Sequence, residues 1–305
     1  MLKYLRAVLL LVCFSFVTLA QLKVTSVEKI NLPTTEHWTN AIFSHSGKEI
    51  YLSNESYNGI WQFSLETKVL KEVARGAQTG YNFSLSEDGS KIAYRRTIGD
   101  VSQLSRRQES VIQNLSTQTE EVIESGSSVA SPVFINNMPL TMGTVKKSGQ
   151  TTTPIQQQTI VLGIEDTKIL LLQNGDRVTL DPFGNGQYIW PVLSPDKSLL
   201  VAVEMERGAF ICDVTGKNIQ RLGKCNGPSW TRDGKWIVGM DDRDDGHRIL
   251  SSDIIVVSVD GKQKFTLTEN LDAMAMFPHC SSVENKIIFT TDKGEVYMMT
   301  YEEVQ

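Results

Sequence analysis

One pattern recurs along this chain, and it leaves few folds open. A short strand ends in an aromatic or aliphatic residue. A polar residue, most often Ser or Thr, follows, then a tight polar turn and a second apolar strand. NAIFSHSGKEIYL (40–52), NFSLSEDGSKIAY (82–94), IWPVLSPDKSLLVAV (189–203) and GPSWTRDGKWIVGM (227–240) are the clear copies. FPHCSSVENKIIFT (277–290) is looser and SPVFINNMPLTM (131–142) the most degraded. Anchored on the last apolar residue of the first strand, the copies mark Phe43, Leu85, Phe134, Leu193, Trp230 and Cys280. The anchors lie 42, 49, 59, 37 and 50 residues apart. A self-similar period of this size belongs to stacked supersecondary units.

The local chemistry says what each unit is. Ser46-Gly47, Asp88-Gly89 and Asp233-Gly234 supply the φ > 0 residues of a tight hairpin. Pro132, Pro191, Pro228 and Pro278 stand two residues before four of the anchors. Proline has no N–H to give a sheet, so it belongs at a strand's start or free edge. A second hairpin follows most anchors: 59–73, 109–125, 209–222 and 253–268. Each unit thus supplies four antiparallel strands, with almost no helical period after residue 20.

The expected fold is all-β, a six-bladed β-propeller of four-stranded antiparallel blades. One blade cannot bury both faces, so the blades must stack and the ring must close. The last unit is one strand short, because only EVYMMTYEE (295–303) follows NKIIFTT. VTSVEKINL (24–32) is a spare strand before the first unit. The N-terminal strand is therefore expected to complete the last blade. The third unit is the irregular one, with an extra polar stretch, KKSGQTTTP, inside 143–180.

Pro228-Ser-Trp230-Thr-Arg-Asp-Gly-Lys235 and Asp253-Ile-Ile-Val-Val-Ser-Val-Asp-Gly261 carry a family resemblance, with Ser194-Pro-Asp196 a partial copy. They resemble the repeats of TolB-like propellers, the WD40-like (PD40) kind. Across the whole chain after residue 20, the resemblance implies a propeller without an attached hydrolase domain. It implies a fold and says little about chemistry.

The first twenty residues read as a secretory signal peptide: a basic start at Lys3 and Arg6, an apolar run, and small Thr18 and Ala20 before a cut. That run is too short to span a bilayer. The expected organisation is a signal peptide, 1–20, and a single propeller domain, 21–305, in a protein that is exported, periplasmic or extracellular. Removing Lys3 and Arg6 from 30 basic residues leaves 28 against 35 acidic ones, a net charge of −7. No basic block exists, so neither nucleic acid nor membrane insertion is expected. Cys212, Cys225 and Cys280 match no metal spacing and read as free buried thiols.

The most conspicuous polar run is DDRDDG (241–246). Its glycine fits an EF-hand-type loop, but Arg243 and Ser252 occupy ligand positions and adjacent aspartates point to opposite sides. It reads as a solvated loop between the second and third strands of the fifth unit. No Gly-x-Ser-x-Gly elbow and no His-Glu-x-x-His motif occurs. No catalytic residue, metal site or cofactor is assigned.

The segments leading into the first strand of each unit form one rim of the channel. Trp38, Tyr81, Tyr188, Trp190, Met274, Met276 and Phe277 lie there. Of these, Trp38, Tyr81, Tyr188, Trp190, Met276 and Phe277 are the candidate binding residues, since rigid aromatics stack and still hydrogen-bond. The expected function is a non-enzymatic, monomeric propeller that binds a protein or peptide partner through this rim, or serves as an envelope scaffold. The alternative is a carbohydrate-binding module or lyase-like enzyme at the channel mouth, recruiting His37 and His279.

Overall fold

A computed structural model describes residues 21–99, 106–135, 137–141 and 159–304. The first twenty residues, and all of 142–158 with its polar stretch, lie outside the described residues. Strand β1 (Gln21–Lys29) comes first. Blade one holds β2 (Trp38–Phe43), β3 (Glu49–Asn54), β4 (Gly59–Ser64) and β5 (Leu70–Arg75). Blade two holds β6 (Ser84–Leu85), β7 (Lys91–Ile98), β8 (Arg107–Asn114) and β9 (Glu120–Gly126). Blade three holds β10 (Val133–Ile135), β11 (Met138–Leu140), β12 (Thr159–Glu165), β13 (Lys168–Gln173) and β14 (Asp176–Leu180). Blade four holds β15 (Tyr188–Leu193), β16 (Leu199–Glu204), β17 (Gly208–Asp213) and β18 (Gln220–Gly223). Blade five holds β19 (Asn226–Trp230), β20 (Trp236–Asp244), β21 (Ile249–Ser258) and β22 (Lys264–Thr266). Blade six holds β23 (Ala275–Cys280), β24 (Lys286–Thr291) and β25 (Val296–Val304).

The molecule is the expected all-β, six-bladed propeller. Five sheets have four antiparallel strands in simple up-and-down order. Blade three is split into the pair β10–β11 and the triplet β12–β13–β14. The two pieces share one core: Ile135, Leu162, Leu170 and Leu172, with Val133 and Leu140 against them. The Tyr188 N–H bonds to Thr167 O in the β12–β13 turn, as Trp38 N–H does to Gly294 O in the β24–β25 turn. That parallel makes β12 the second strand of its blade.

Five anchors end their inner strands, and the turn chemistry after them explains why. Ser86, Ser194 and Thr231 donate their hydroxyls to Asp88, Asp196 and Asp233 two residues on, at 2.6–2.7 Å. The side-chain bond closes the turn without using the backbone ladder. Gly47, Gly89 and Gly234 take φ values of 71°, 68° and 70°.

The prolines have a more specific reason than a free edge. Strands β2, β15, β19 and β23 each bulge, skipping two residues between paired positions. The first skipped residue has φ > 0: Asn40 (48°), Trp190 (51°), Gly227 (56°) and Phe277 (52°). The second is Pro191, Pro228 or Pro278 in the last three, where no ladder N–H is required. Asn82, also three before its anchor, has φ 53°.

The inner strands meet around the axis and are tied side to side. Phe43 N–H donates to His279 Nδ1 (3.2 Å), and Cys280 N–H to Ser229 Oγ (3.0 Å). Trp230 Nε1–H donates to Val192 O (3.1 Å), and Ser84 Oγ to Pro132 O (2.9 Å). Apolar cores fill the wedges between blades, for example Tyr51 and Ile60 against Leu85, Ile92, Tyr94 and Val111. Cys212, Cys225 and Cys280 are buried and unpaired, and burial pushes each thiol up to about 12. They pack as small apolar side chains.

The ring closes through β1, which lies beside β25 in the order β1–β25–β24–β23. Pairing runs from Gln21 with Val304 to Lys29 with Tyr297, so the closing strand starts three residues earlier than the sequence pattern suggests. Leu22 is buried in the core it shares with Met299 and Tyr301. Deleting Gln21 to Lys29 should uncover the β25 edge and that core. The expected result is aggregation or loss of a cooperative melt, read by size-exclusion chromatography and a thermal scan. An unchanged melting temperature would rule out this closure.

Candidate functional site

The rim is built from two kinds of segment that interlock. Segments leading into inner strands alternate with turns joining second to third strands. Glu55 N–H bonds to His37 O, Gly80 N–H to Tyr57 O, Met205 N–H to Gln187 O and Asp292 N–H to Met274 O, at 2.8–3.1 Å. The rim is therefore a rigid surface rather than a set of free loops.

Of the six candidate residues, Tyr81 and Trp190 are open, at 49% and 41% exposure. Met276 and Phe277 are partly buried and pack against the core of blades five and six. Trp38 and Tyr188 are core residues, at 4% and 1% exposure. Each begins an inner strand, where the neighbouring blade's turn folds over it. Trp38 stands edge-on to Trp61, ring centres 5.1 Å apart. The Tyr188 hydroxyl donates to Asp181 (2.7 Å) and accepts the Phe183 N–H (3.0 Å). Lys168 meets the same carboxylate at 2.7 Å. Desolvation opposes ionisation of Asp181, yet the Lys168 and Tyr188 hydrogen bonds hold its carboxyl below the usual range. These two residues brace the rim and present nothing to a ligand.

The structure adds two partly buried residues beside the exposed Tyr81. Tyr57, in the β3–β4 turn, meets Tyr81 edge-to-face with ring centres 5.4 Å apart. The Arg95 guanidinium lies 5.8 Å from the Tyr81 ring centre and donates to Val129 O (3.4 Å). Stacked Arg and paired Tyr make a stiff, amphipathic platform between blades one and two. A signal for Tyr57 was present in SNESYNG, because turns between second and third strands share the rim. Arg95 had none, since β7 is a long strand whose reach past the blade is not visible locally.

Trp190 and Phe277 hold left-handed backbone, which is rare for bulky residues. Such a conformation costs on the order of 1–3 kcal/mol and is kept only where the surroundings impose it. Here the bulge and the following proline impose it, and the same rank is glycine in blade five.

The aspartate run is strand more than loop. Asp241, Asp242, Arg243 and Asp244 pair with Asp253, Ser252, Ser251 and Ile249, extending the β20–β21 hairpin past the blade. The ladder turns neighbours to opposite sides and partners them separately. Asp241 meets Lys264 at 2.7 Å, and the buried Asp242 accepts from Asn226 Nδ2 at 2.8 Å. Asp244 and Asp245 cap the turn N–H groups of Gly246, His247 and Arg248. Among the described residues no group of three His, Cys, Asp or Glu side chains is placed to hold a metal ion.

His37 and His279 are not neighbours. His37 precedes β2 and lies 3.7 Å from Glu55 at the rim. His279 bonds to Phe43 at the other end of the same strand. Six residues of strand separate the two levels, roughly 20 Å at full extension.

No protein-family model and no curated protein matches the chain. Solved structures do. TolB from Acinetobacter baumannii is 16% identical over 80% of this chain and 57% of its own, with a TM-score of 0.54. The Cps50 (Swd1) β-propeller domain of Myceliophteria thermophila is 8% identical over 92% and 99%, TM-score 0.56. An oligogalacturonate lyase in complex with manganese is 12% identical over 86% and 76%, TM-score 0.50. The chain thus spans 57% of the TolB chain's length. At these identities the likeness is one of fold, and the fold includes TolB among its neighbours. Among the described residues no helix is long and apolar enough to cross a membrane.

His279 gives the ring a pH dependence. Desolvation lowers its pKa to about 4, because the imidazole is largely enclosed where it accepts the Phe43 N–H. The unfolded chain takes up this proton near pH 6.5, so stability is complete above that value and falls as pH drops towards 4. The loss should reach about 3 kcal/mol at about 1.4 kcal/mol per pH unit. His279→Asn keeps an acceptor for Phe43 and should flatten the wild-type slope between pH 6.5 and 4, measured by urea unfolding. Equal slopes for both proteins would show that His279 does not carry it.

Proposed function

We propose that the chain is an exported, non-enzymatic propeller that binds a protein or peptide partner through its rim. The observation that carries this reading is the Tyr57–Tyr81–Arg95 platform, pre-ordered at the junction of blades one and two, with Tyr81 exposed and Tyr57 and Arg95 partly buried beside it. Tyr and Arg dominate the energetics of protein interfaces because they bring large contact area and hydrogen-bonding ends with little flexibility. Trp190 adds an exposed aromatic in blade four, and the partly buried Met276 and Phe277 add apolar surface in blade six. Trp38 and Tyr188 act beneath it as supports. Export rests on the leader-like first twenty residues, and the partner is sought outside the cytoplasm for that reason. A sugar-cleaving centre at the mouth would need groups other than the His37 and His279 pair, which the inner strand holds apart.

The test is affinity purification of the exported protein from its native envelope, comparing wild type with Tyr57→Ala/Tyr81→Ala. A partner that anchors on the platform should lose at least about 2 kcal/mol of affinity, roughly thirtyfold. The double variant should keep its melting temperature within a few degrees. Trp38→Ala serves as the contrast: it should cost about 3–5 kcal/mol of stability through a core cavity. Recovery of the same partner by the double variant at wild-type affinity would remove the platform from the binding surface.

A further inference from the structure

Blade one departs from blades two, four and five at four positions, Ser46, Glu49, Tyr51 and Gln62, and all four line one cavity on the face opposite the rim. In blades two, four and five the turn carboxylate is Asp88, Asp196 or Asp233. Ser46 stands there in blade one, and Ser44 and Ser46 donate instead to Glu49, at 2.8 and 2.9 Å. The sister residues of Glu49 are Lys91, Leu199, Trp236 and Lys286.

Two residues on, an apolar cross-strand row is replaced by a polar one. Ala93–Ile112, Val201–Ile211, Val238–Val256 and Ile288–Met298 pair in the sister blades. In blade one the pair is Tyr51–Gln62. Tyr51 is 2% exposed, and its ring packs in the inter-blade core with Leu85 and Ile92. Its hydroxyl has no hydrogen-bond partner among the described residues. The ring is buried, while the hydroxyl opens to a cavity that Tyr51 lines, so the polar row is left for something in that space to bond.

The cavity supplies the place. It has a volume of about 370 Å³, and Tyr51, Gln62, Glu49 and His45 line it from blade one, Glu87 and Asp88 from blade two. Its polar character is acidic and accepting. Hydrogen bonds from Ser86 and Ser90 hold the Asp88 carboxyl at about 2, so it stays ionised. No lysine or arginine lines the space. An ammonium or guanidinium group brings the fixed positive charge that this set lacks, with N–H groups for its carboxylates. The volume suits a small ligand or one long side chain.

We propose that this inter-blade cavity binds an organic cation, an alkylammonium or alkylguanidinium group. Glu49 and Glu87 take its charge, and the oxygens of Tyr51 and Gln62 accept its N–H groups. The cation comes either from a free small amine or from a basic side chain of another protein. The site is separate from the rim, so it stands or falls independently of partner binding there.

Calorimetric titration of the full exported protein tests it, with putrescine, arginine amide and a Gly-Arg-Gly peptide as cations. Butane-1,4-diol and N-acetylcitrulline amide are the neutral counterparts. Saturable binding of at least one cation in the micromolar to millimolar range, with none for the neutral partner, is the expected result. Putrescine or arginine amide binding without the peptide identifies a free amine, and peptide binding identifies a protein side chain. Glu49→Gln should weaken binding about tenfold or more, the worth of one charge-assisted contact. Tyr51→Phe and Gln62→Leu restore the apolar row, so they should raise or preserve the melting temperature while weakening binding severalfold. No saturable binding, equal binding of neutral and charged probes, or binding untouched in the folded Tyr51→Phe and Gln62→Leu variants would each overturn the proposal.

Discussion

Every blade of this protein has two apolar faces, and only another blade can cover each of them. That requirement governs the rest. The wedge cores, the side-to-side bonds between inner strands and the pairing of β1 with β25 all serve it. The last of these is the critical one, because a stack with a free first and last blade would leave a large apolar face in water at each end. Closure converts six marginal sheets into one cooperative body. It also fixes the rim, since segments that interlock across blade boundaries cannot move unless the blades do.

Much of this was written locally in the chain. Turn chemistry depends on a few adjacent residues, so Ser86-Glu-Asp88-Gly89 and Thr231-Arg-Asp233-Gly234 marked their hairpins without help from the fold. The missing strand of blade six and the spare strand before blade one followed by counting. What depends on a neighbouring blade was not legible. Trp38 and Tyr188 stand only one or two places in the repeat before the exposed Tyr81 and Trp190, and it is the Gly294 and Thr167 turns folding over them that cover them. The bulge was hidden for another reason. Its φ > 0 residue is Trp190 in one blade and Phe277 in another, types that ordinarily argue against such backbone. The proline beside each was the visible trace. The aspartate run misled through composition, because polar residues mark loops on average, whereas β20 and β21 simply go on pairing.

Repetition makes departures meaningful. Where sister blades agree on a residue type, that agreement states what the blade's architecture needs, and a blade that differs is doing something besides holding the ring together. Tyr51 and Gln62 differ in this way from the apolar pair that four sister blades share, whereas the rank of Trp190 and Phe277 on the other face varies from blade to blade. The two faces carry different chemistry, aromatic and stacked at the rim, acidic and recessed between blades one and two. A propeller's function is read best from the places where its own repeats disagree.

The closing strand also sets an order in time. Gln21 pairs with Val304, so the first residues of the domain to be made wait for the last before they have a partner. At translation rates of about 5–20 residues per second, that delay is roughly 15–60 s. Throughout it β1 is an unpaired strand whose alternating Leu22 and Val24 face water. Its flanking Lys23, Glu28 and Lys29 keep such a segment soluble on its own, as charges on a free edge do. The strand that completes the protein is therefore also the one that must tolerate the longest exposure before completion.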